Sequence, residues 1–269
     1  MPNRLITLTT DFGLSDHFVG AMKGVIAGIA PVARVIDITH AVTPYRVQEA
    51  AFIVSETWPN FPKGTIHVVV VDPGVGGARR PLLVEAAGQF FIGPDNGVFS
   101  LLYAAFKHKT RVLSNPKFMR HEISRTFHGR DVFAPAAAYL AKGAKPAQFG
   151  STVKDTLQLP LNAPERLASH RWRGCVLKAD RFGNLITNFA VKHFEDIKTR
   201  PFELCAGPQT IRRLALNYSE TEMGELFVIV GSSGYLEIAA NQSSAAEKLD
   251  CTAGSAVDLE IFMNPAWRA

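Results

Sequence analysis

Apolar and polar positions follow two rhythms along the first half of the chain. Leu5–Thr9 is a short apolar and β-branched run that stops at Thr10-Asp11-Phe12-Gly13. Phe18–Ile29 repeats apolar residues at helical spacing, Arg34–Ile38 reads as a second strand, and Val47–Thr57 reads as a helix closed by Trp58-Pro59. Thr65–Val71 is the most strand-like stretch, and a continuous apolar strand of this kind is typical of a parallel sheet buried on both faces. Leu82–Ala86 and Gln89–Ile92 suggest a hairpin around Gly88, while Val98–Phe106 and Val132–Ala141 suggest helices. The β-α-β-α order predicts an α/β domain over residues 1–145 with a mainly parallel sheet.

The texture then changes. Residues 144–170 carry Pro146, Pro160 and Pro164 and show no periodicity, so residues 146–171 are expected to be a linker. From Trp172 onward come short strands separated by Gly and polar turns: Gly174–Ala179, Leu185–Asn188, Phe202–Cys205, Leu226–Val230, Leu236–Ala239 and Ala256–Phe262. This pattern predicts a smaller, mostly antiparallel β domain over residues 172–269.

Composition narrows the picture only modestly. The 269 residues carry a net charge of +5 and a hydrophobic fraction of 47%, ordinary values for a globular chain. Basic residues fall in short pairs, Arg79-Arg80, Arg171 with Arg173, and Arg212-Arg213, without the concentrated stripe that nucleic-acid binders show. No nucleic-acid partner is expected. Cys175, Cys205 and Cys251 are odd in number and far apart, and no C-x-x-C or H-x-x-x-H spacing occurs, so no metal is expected. The N-terminal residues lack a signal-like apolar core, and no apolar run reaches the roughly 18 residues of a membrane span. A soluble protein of the reducing cytoplasm is expected.

Candidate chemistry lies where strands end. Asp11 follows the first strand, where open α/β sheets bind ligands, and its carboxylate can accept from both hydroxyls of a ribose. The buried strand runs into Asp72-Pro73-Gly74-Val75-Gly76-Gly77-Ala78-Arg79-Arg80, a Gly-rich loop that is neither a Walker A nor a G-x-G-x-x-G motif. His128 precedes Gly129 just ahead of a helix, with Asp131 read as an N-cap. In the second half, Asp180 and Asn184 can read polar edges of a ligand while Phe182 stacks on a base; Asn188 follows. Gly231-Ser232-Ser233-Gly234-Tyr235-Leu236-Glu237 offers hydroxyls and backbone N–H groups suited to a carboxylate. Taken singly, each of these stretches is also explained as a turn, a cap or a structural ion pair.

Taken in order, TTDFG, VVVVDPGVGGARR, GPDNG, FHGRDVFAPAAA, DRFGNLITN and SSGYLEIAANQSSAA resemble one family over nearly the whole chain. It is the S-adenosylmethionine hydroxide adenosyltransferases, the adenosine-forming S-adenosylmethionine hydrolases related to fluorinase and chlorinase. The resemblance implies an α/β N-terminal domain, a β-barrel-like C-terminal domain, and a homotrimer whose sites lie between the N-terminal domain of one subunit and the C-terminal domain of its neighbour. It assigns the family's Asp-Arg-His set to Asp72, Arg79 and His128, with Arg80 adjacent. It gives Asp11 to the ribose, Asp180, Phe182 and Asn184 to the nucleoside or methionine, and Ser232 to the methionine carboxylate; Tyr235 and Glu237 complete the expected substrate contacts.

The implied reaction is displacement at the ribose C5′ by water or hydroxide, yielding adenosine and methionine with no cofactor. Halogenases of the family have a neutral residue where this chain has Asp72, and the fluorinase's inserted loop has no counterpart here. Some relatives have Arg at the position of Ser233. The alternatives are a halide-using relative, or a nucleoside-binding sensor without turnover.

Overall fold

The computed structural model describes residues 5–160 and 163–263. The chain divides into two compact units, Met1–Leu161 and Asn162–Ala269.

The first unit alternates strands and helices: β1 (Leu5–Thr10), α1 (Phe18–Ile29), β2 (Arg34–Thr39), α2 (Val47–Thr57), β3 (Ile66–Val70), β4 (Pro81–Ala86), β5 (Gln89–Pro94), α3 (Ser100–Ala105), β6 (His108–Val112), α4 (Ala134–Ala141) and β7 (Thr152–Val153). They form one seven-stranded sheet in the order β2-β1-β3-β5-β4-β6-β7. β2, β1, β3 and β5 run parallel, and β4 and β7 are the reversed strands. The expected mainly parallel α/β sheet is therefore present.

Burial explains the unbroken Val run. Ile66, Val68 and Val70 join a core built with Met22, Ile26 and the small residues Ala134 and Ala136–Ala138, while Val69 and Val71 join Val47, Val54, Phe91 and Phe99 on the other face. With side chains alternating across a strand, a strand covered on both faces is apolar at nearly every position; the exception here, His67, is buried with its ring nitrogens against Thr7 and Gln89. The alanine-rich sequence of α4 lets its backbone come close to α1.

The second unit comprises β8 (Glu165–Ala168), β9 (Arg171–Ala179), β10 (Leu185–Ala190), β11 (Phe202–Ala206), β12 (Gln209–Ile211), β13 (Leu214–Ala215), β14 (Leu226–Val230), β15 (Tyr235–Ala240), α5 (Ala245–Leu249) and β16 (Ala256–Ile261). Its nine strands form one sheet, β12-β11-β16-β9-β10-β15-β14-β13 with β8 on β9, antiparallel except for β13 with β14. Its main core includes Val176, Leu185, Phe189, Leu236 and Leu259, and a smaller cluster of Ala215, Phe227, Ile229 and Ala239 packs separately.

The structure differs from the sequence reading in several places, and β6, β12 and β13 are strands that the reading does not contain. The span expected to be a linker contains two short paired segments. Thr152–Val153 adds to the edge of the first sheet, and Glu165–Ala168 pairs with β9. Both strands are short, and β8 is exposed along its length, so neither shows apolar alternation. The helix expected from Val132 begins earlier, as a π turn over Gly129–Phe133. Asp131 sits inside that turn, fully buried, and is not its N-cap. Helix α5 was not anticipated: five residues are too few for periodicity. Its cap is legible afterwards, with Ser244 Oγ accepting from Glu247 N at 3.1 Å.

Candidate active site

Two neighbouring parallel strands bring the first two acidic residues to one edge. Thr10 is in register with Val70, so the chain leaves β1 at Asp11 and β3 near Asp72 on the same side. β1 is also where the connections reverse, with β2 on one flank and β3 on the other. Open α/β sheets form a ligand crevice at such a switch point, outside the carboxyl ends of the strands. Here it is a cleft of about 340 Å³, walled by Asp11, Phe12, Tyr45, Asp72, Phe127 and His128 among others. Phe12, Phe18 and Phe127 pack edge-on or tilted at 5.1 to 6.0 Å and make one wall apolar.

Arg79 ties the polar floor together. Its Nε donates to Asp72 Oδ1 at 3.0 Å, and its Nη2 donates to Asp72 Oδ2 and, at 2.7 Å, to His128 Nδ1. The Arg79 and Asp72 side chains are only 9% and 4% exposed, and the guanidinium lies over the Phe133 ring at 5.4 Å. A guanidinium can only donate, so Nδ1 presents its lone pair and the neutral imidazole carries its proton on Nε2. Burial and the adjacent Arg79 charge hold the His128 pKa below its ordinary value, outweighing Asp72 and Asp131. The ring is neutral at pH 7. Arg79 Nη1 is buried with no hydrogen-bond partner among the described residues, a donor left over at the centre of the cluster.

The adjacent Arg80 goes elsewhere. It pairs with Asp95 and Asp155, at 2.6 Å and 2.9 Å, and takes no part in the cluster. Of the two adjacent arginines, Arg79 is the one beside Asp72 and His128.

Close backbone packing holds the two loops of the cluster against each other. Gly76 has φ +75°, and a Cβ there would stand 2.0 Å from the Arg125 carbonyl oxygen. Only glycine permits that approach. The second loop is pinned by Asp131, whose carboxylate accepts from Ser124 N at 2.9 Å and from both Nε and Nη2 of Arg130, with Arg120 3.3 Å away. Burial opposes the charged carboxylate, but these donors and cations prevail and leave its pKa lowered.

Asp11 faces the same cleft, with its Oδ2 accepting from Tyr45 N at 3.0 Å. Tyr45 adopts φ 67°, and its ring is largely exposed. Phe12, Pro44, Tyr45 and Thr126 also line the cleft; the sequence signals chemistry beside Phe12 and Thr126 but none around Pro44 and Tyr45.

In the second unit the expected residues sit in two turns and at the start of β15, which holds Tyr235 and Glu237. Asp180 Oδ1 accepts from the backbone N of Phe182 and Asn184, at 2.8 and 2.9 Å, and its Oδ2 accepts from Asn184 Nδ2 at 2.9 Å. That geometry throws the Phe182 ring into solvent, 77% exposed. Asn184 is also 3.4 Å from the Tyr218 hydroxyl, and Tyr218 is a neighbour that the sequence did not signal. Burial and the charge of Asp180 raise the pKa of Glu237; burial and the charges of Glu237 and Asp180 raise that of Tyr218. Ser232 is exposed in the turn joining β14 to β15, Tyr235 opens β15, and Ser233 Oγ is buried with no partner among the described residues. Asn188 belongs to the sheet: its Oδ1 accepts from Cys175 N. A larger, open depression of about 490 Å³ in this unit is lined by Arg212, Arg213, Glu225 and Lys248. It contains none of the expected site residues, and its arginines are paired with Glu203 and Glu225.

A switch-point cleft floored by a buried Asp-Arg-His cluster marks an enzyme of the α/β class, equipped to position and polarise a small nucleophile. The chain belongs to the SAM hydroxide adenosyltransferase family: residues 6–150 match its N-terminal domain and residues 174–258 its C-terminal domain. It is 40% identical to the (R)-S-adenosyl-L-methionine hydrolase of Salinispora arenicola, over 93% of this chain and 95% of that one. It is 25% identical to a fluorinase of Nocardia brasiliensis, over 96% and 97% of the two chains. An uncharacterized conserved protein of Thermotoga maritima has a similar crystal structure, with a TM-score of 0.88 at 32% identity, covering 94% of this chain and 99% of that one.

Proposed function

We propose that this protein hydrolyses (R)-S-adenosyl-L-methionine to adenosine and L-methionine, water attacking the ribose C5′ as the thioether leaves. The observation that carries the mechanism is the bridging guanidinium of Arg79. It fixes the Asp72 carboxylate and the His128 lone pair, and it leaves Nη1 to donate to a third group. A water bound there meets an acceptor in Asp72, whose oxygens keep further lone pairs, and a donor in Arg79 Nη1. Asp72 takes or polarises the water proton, and Arg79 stabilises the hydroxide that develops. His128 in this tautomer anchors the guanidinium by accepting from it, and its Nε2–H, on the far side of the ring, is left to donate to a second water or to substrate. Hydroxide and sulfonium lose charge as they approach, so the aromatic wall of the cleft, by thinning water, favours the reaction. A carboxylate at position 72 repels a halide, which favours water as the nucleophile over the fluorinase chemistry.

In the same reading Asp11 holds the ribose hydroxyls, while Asp180, Phe182, Asn184, Ser232, Tyr235 and Glu237 contact nucleoside and methionine. Ligand-type residues in both units support a homotrimer in which each site draws on two subunits. The free thiols Cys175, Cys205 and Cys251 fit a reducing cytoplasm.

The test is chromatography of the purified protein incubated with each sulfonium epimer of S-adenosylmethionine, without halide. Equal adenosine and methionine from the R epimer, lost in Asp72→Ala, support the proposal; binding without products leaves a sensor. Co-expression of Asp72→Ala with Asp180→Ala tests the shared site. Mixed trimers regain turnover if one subunit supplies the cluster and its neighbour the Asp180 turn, and they stay inactive if each subunit is self-sufficient.

A further inference from the structure

Behind Asp11 runs a chain of polar contacts that the proposed mechanism leaves unused. Thr10 Oγ1 accepts from Phe12 N at 3.2 Å and lies 2.9 Å from His40 Nδ1. The other ring nitrogen, Nε2, is 3.1 Å from Asp37 Oδ1, an approach too oblique for a well-formed hydrogen bond. Asp37 in turn accepts from Lys23 Nζ at 2.6 Å. Thr10 is fully buried and His40 nearly so.

The carboxylate at one end sets the direction. Asp37 draws the imidazole proton to Nε2, which leaves a lone pair on Nδ1 for the Thr10 hydroxyl. The Thr10 oxygen is then oriented to accept from Phe12 N, the residue after Asp11. The backbone of His40 works on the same loop, its carbonyl accepting from Gly13 N at 2.7 Å. Val42 N donates to Thr10 O at 3.3 Å, and Tyr45 N donates to Asp11 itself. His40 thus grips the Asp11 loop with side chain and main chain, and it begins the segment that ends at Tyr45 in the cleft wall.

We infer that His40 is a positioning residue: it holds the Asp11 loop and the Tyr45 segment in register, setting the Asp11 carboxylate for its ligand. The inference rests on the reading of Asp11 as the ribose contact. His40 touches neither the cleft floor nor Asp72, so its loss acts on binding ahead of chemistry.

His40→Ala is expected to raise KM about 10-fold, the scale of one lost hydrogen bond, and to change kcat less than about 3-fold. His40→Asn, whose Oδ1 can still accept from Thr10, is expected to recover KM to within about 3-fold of wild type. An unchanged KM in His40→Ala, a fall confined to kcat, or no rescue by asparagine in a folded variant would each overturn the inference. Nitrogen-15 spectra of the wild-type protein supply a readout free of turnover and of variant folding. They are expected to show the His40 proton on Nε2 and a lone pair on Nδ1, with the Gly13 amide protected from exchange; an Nδ1-protonated ring or an unprotected Gly13 would refute the clamp. If wild-type protein releases no adenosine, the proposed function fails, and these spectra with an adenosine-binding titration still decide the role of His40.

Discussion

The two units hold their candidate functional residues in different ways. In the first, groups from distant parts of the chain fix one another: the Arg79 side chain reaches His128 across 49 positions, and Asp11 is held by the Tyr45 backbone N across 34. In the second, Asp180 folds back on Phe182 and Asn184, two and four residues away, and leaves Phe182 in solvent. Groups that polarise a nucleophile must be preorganised before substrate arrives, because their reorganisation would add to the barrier. Groups that recognise a ligand can be placed by local turns and completed by the ligand. In the function proposed above, the first unit supplies the chemical site and the second the recognition surface.

The sharpest test of this contrast is within the adjacent arginines. Arg79→Ala is expected to lower kcat by about 10²-fold or more, the scale of lost electrostatic stabilisation, whereas Arg80→Ala should stay within about 3-fold. Comparable losses in steady-state adenosine release would show that the cluster is not the chemical centre.

A second test removes the support under His128. Asp131→Asn is expected to destabilise the protein by about 2 kcal/mol in urea unfolding, the worth of charged hydrogen bonds lost from a buried carboxylate. The sign with pH follows from the lowered folded pKa of Asp131. Its stabilisation is fully present above the unfolded value near 3.8 and is lost as pH falls through the folded one. The gap between wild type and variant should therefore close between about pH 4 and lower pH; a gap constant with pH would reject the ion-pair account.

Acid should act on the cluster through His128. A proton on Nδ1 would face Arg79, so kcat is expected to be flat above pH 7 and to fall with a midpoint below the ordinary 6.5 of imidazole. A midpoint at or above 6.5 in the kcat profile would contradict the lone-pair assignment.

The smallest effect belongs to the recognition surface. Phe182→Ala is expected to change stability by less than about 0.5 kcal/mol, since the ring is exposed, while raising KM several-fold by losing a stacking face at the scale of about 1 kcal/mol. A large fall in kcat with KM unchanged would erase the division between the two units.

Much of the fold was legible because burial writes itself into periodicity. The Thr65–Val71 run announces a strand covered on both faces, and Phe18–Ile29 and Val47–Thr57 announce helices with one apolar face each. β7 and β8, short and polar, are defined by backbone pairing with neighbours that no local pattern reveals. The chemistry divides in the same way. Asp11, Asp72 and His128 could be picked out because polar residues at strand ends and before glycine stand against an apolar background. The sequence by itself determined that the Thr65–Val71 strand is covered on both faces and which motifs align with the family. Only the tertiary structure decided between Arg79 and Arg80, moved Asp131 from a cap to a buried anchor, and brought His40 behind Asp11. Such choices depend on which backbone segments come within hydrogen-bonding distance, and that is set by strand order and register, quantities with no local signature in the chain.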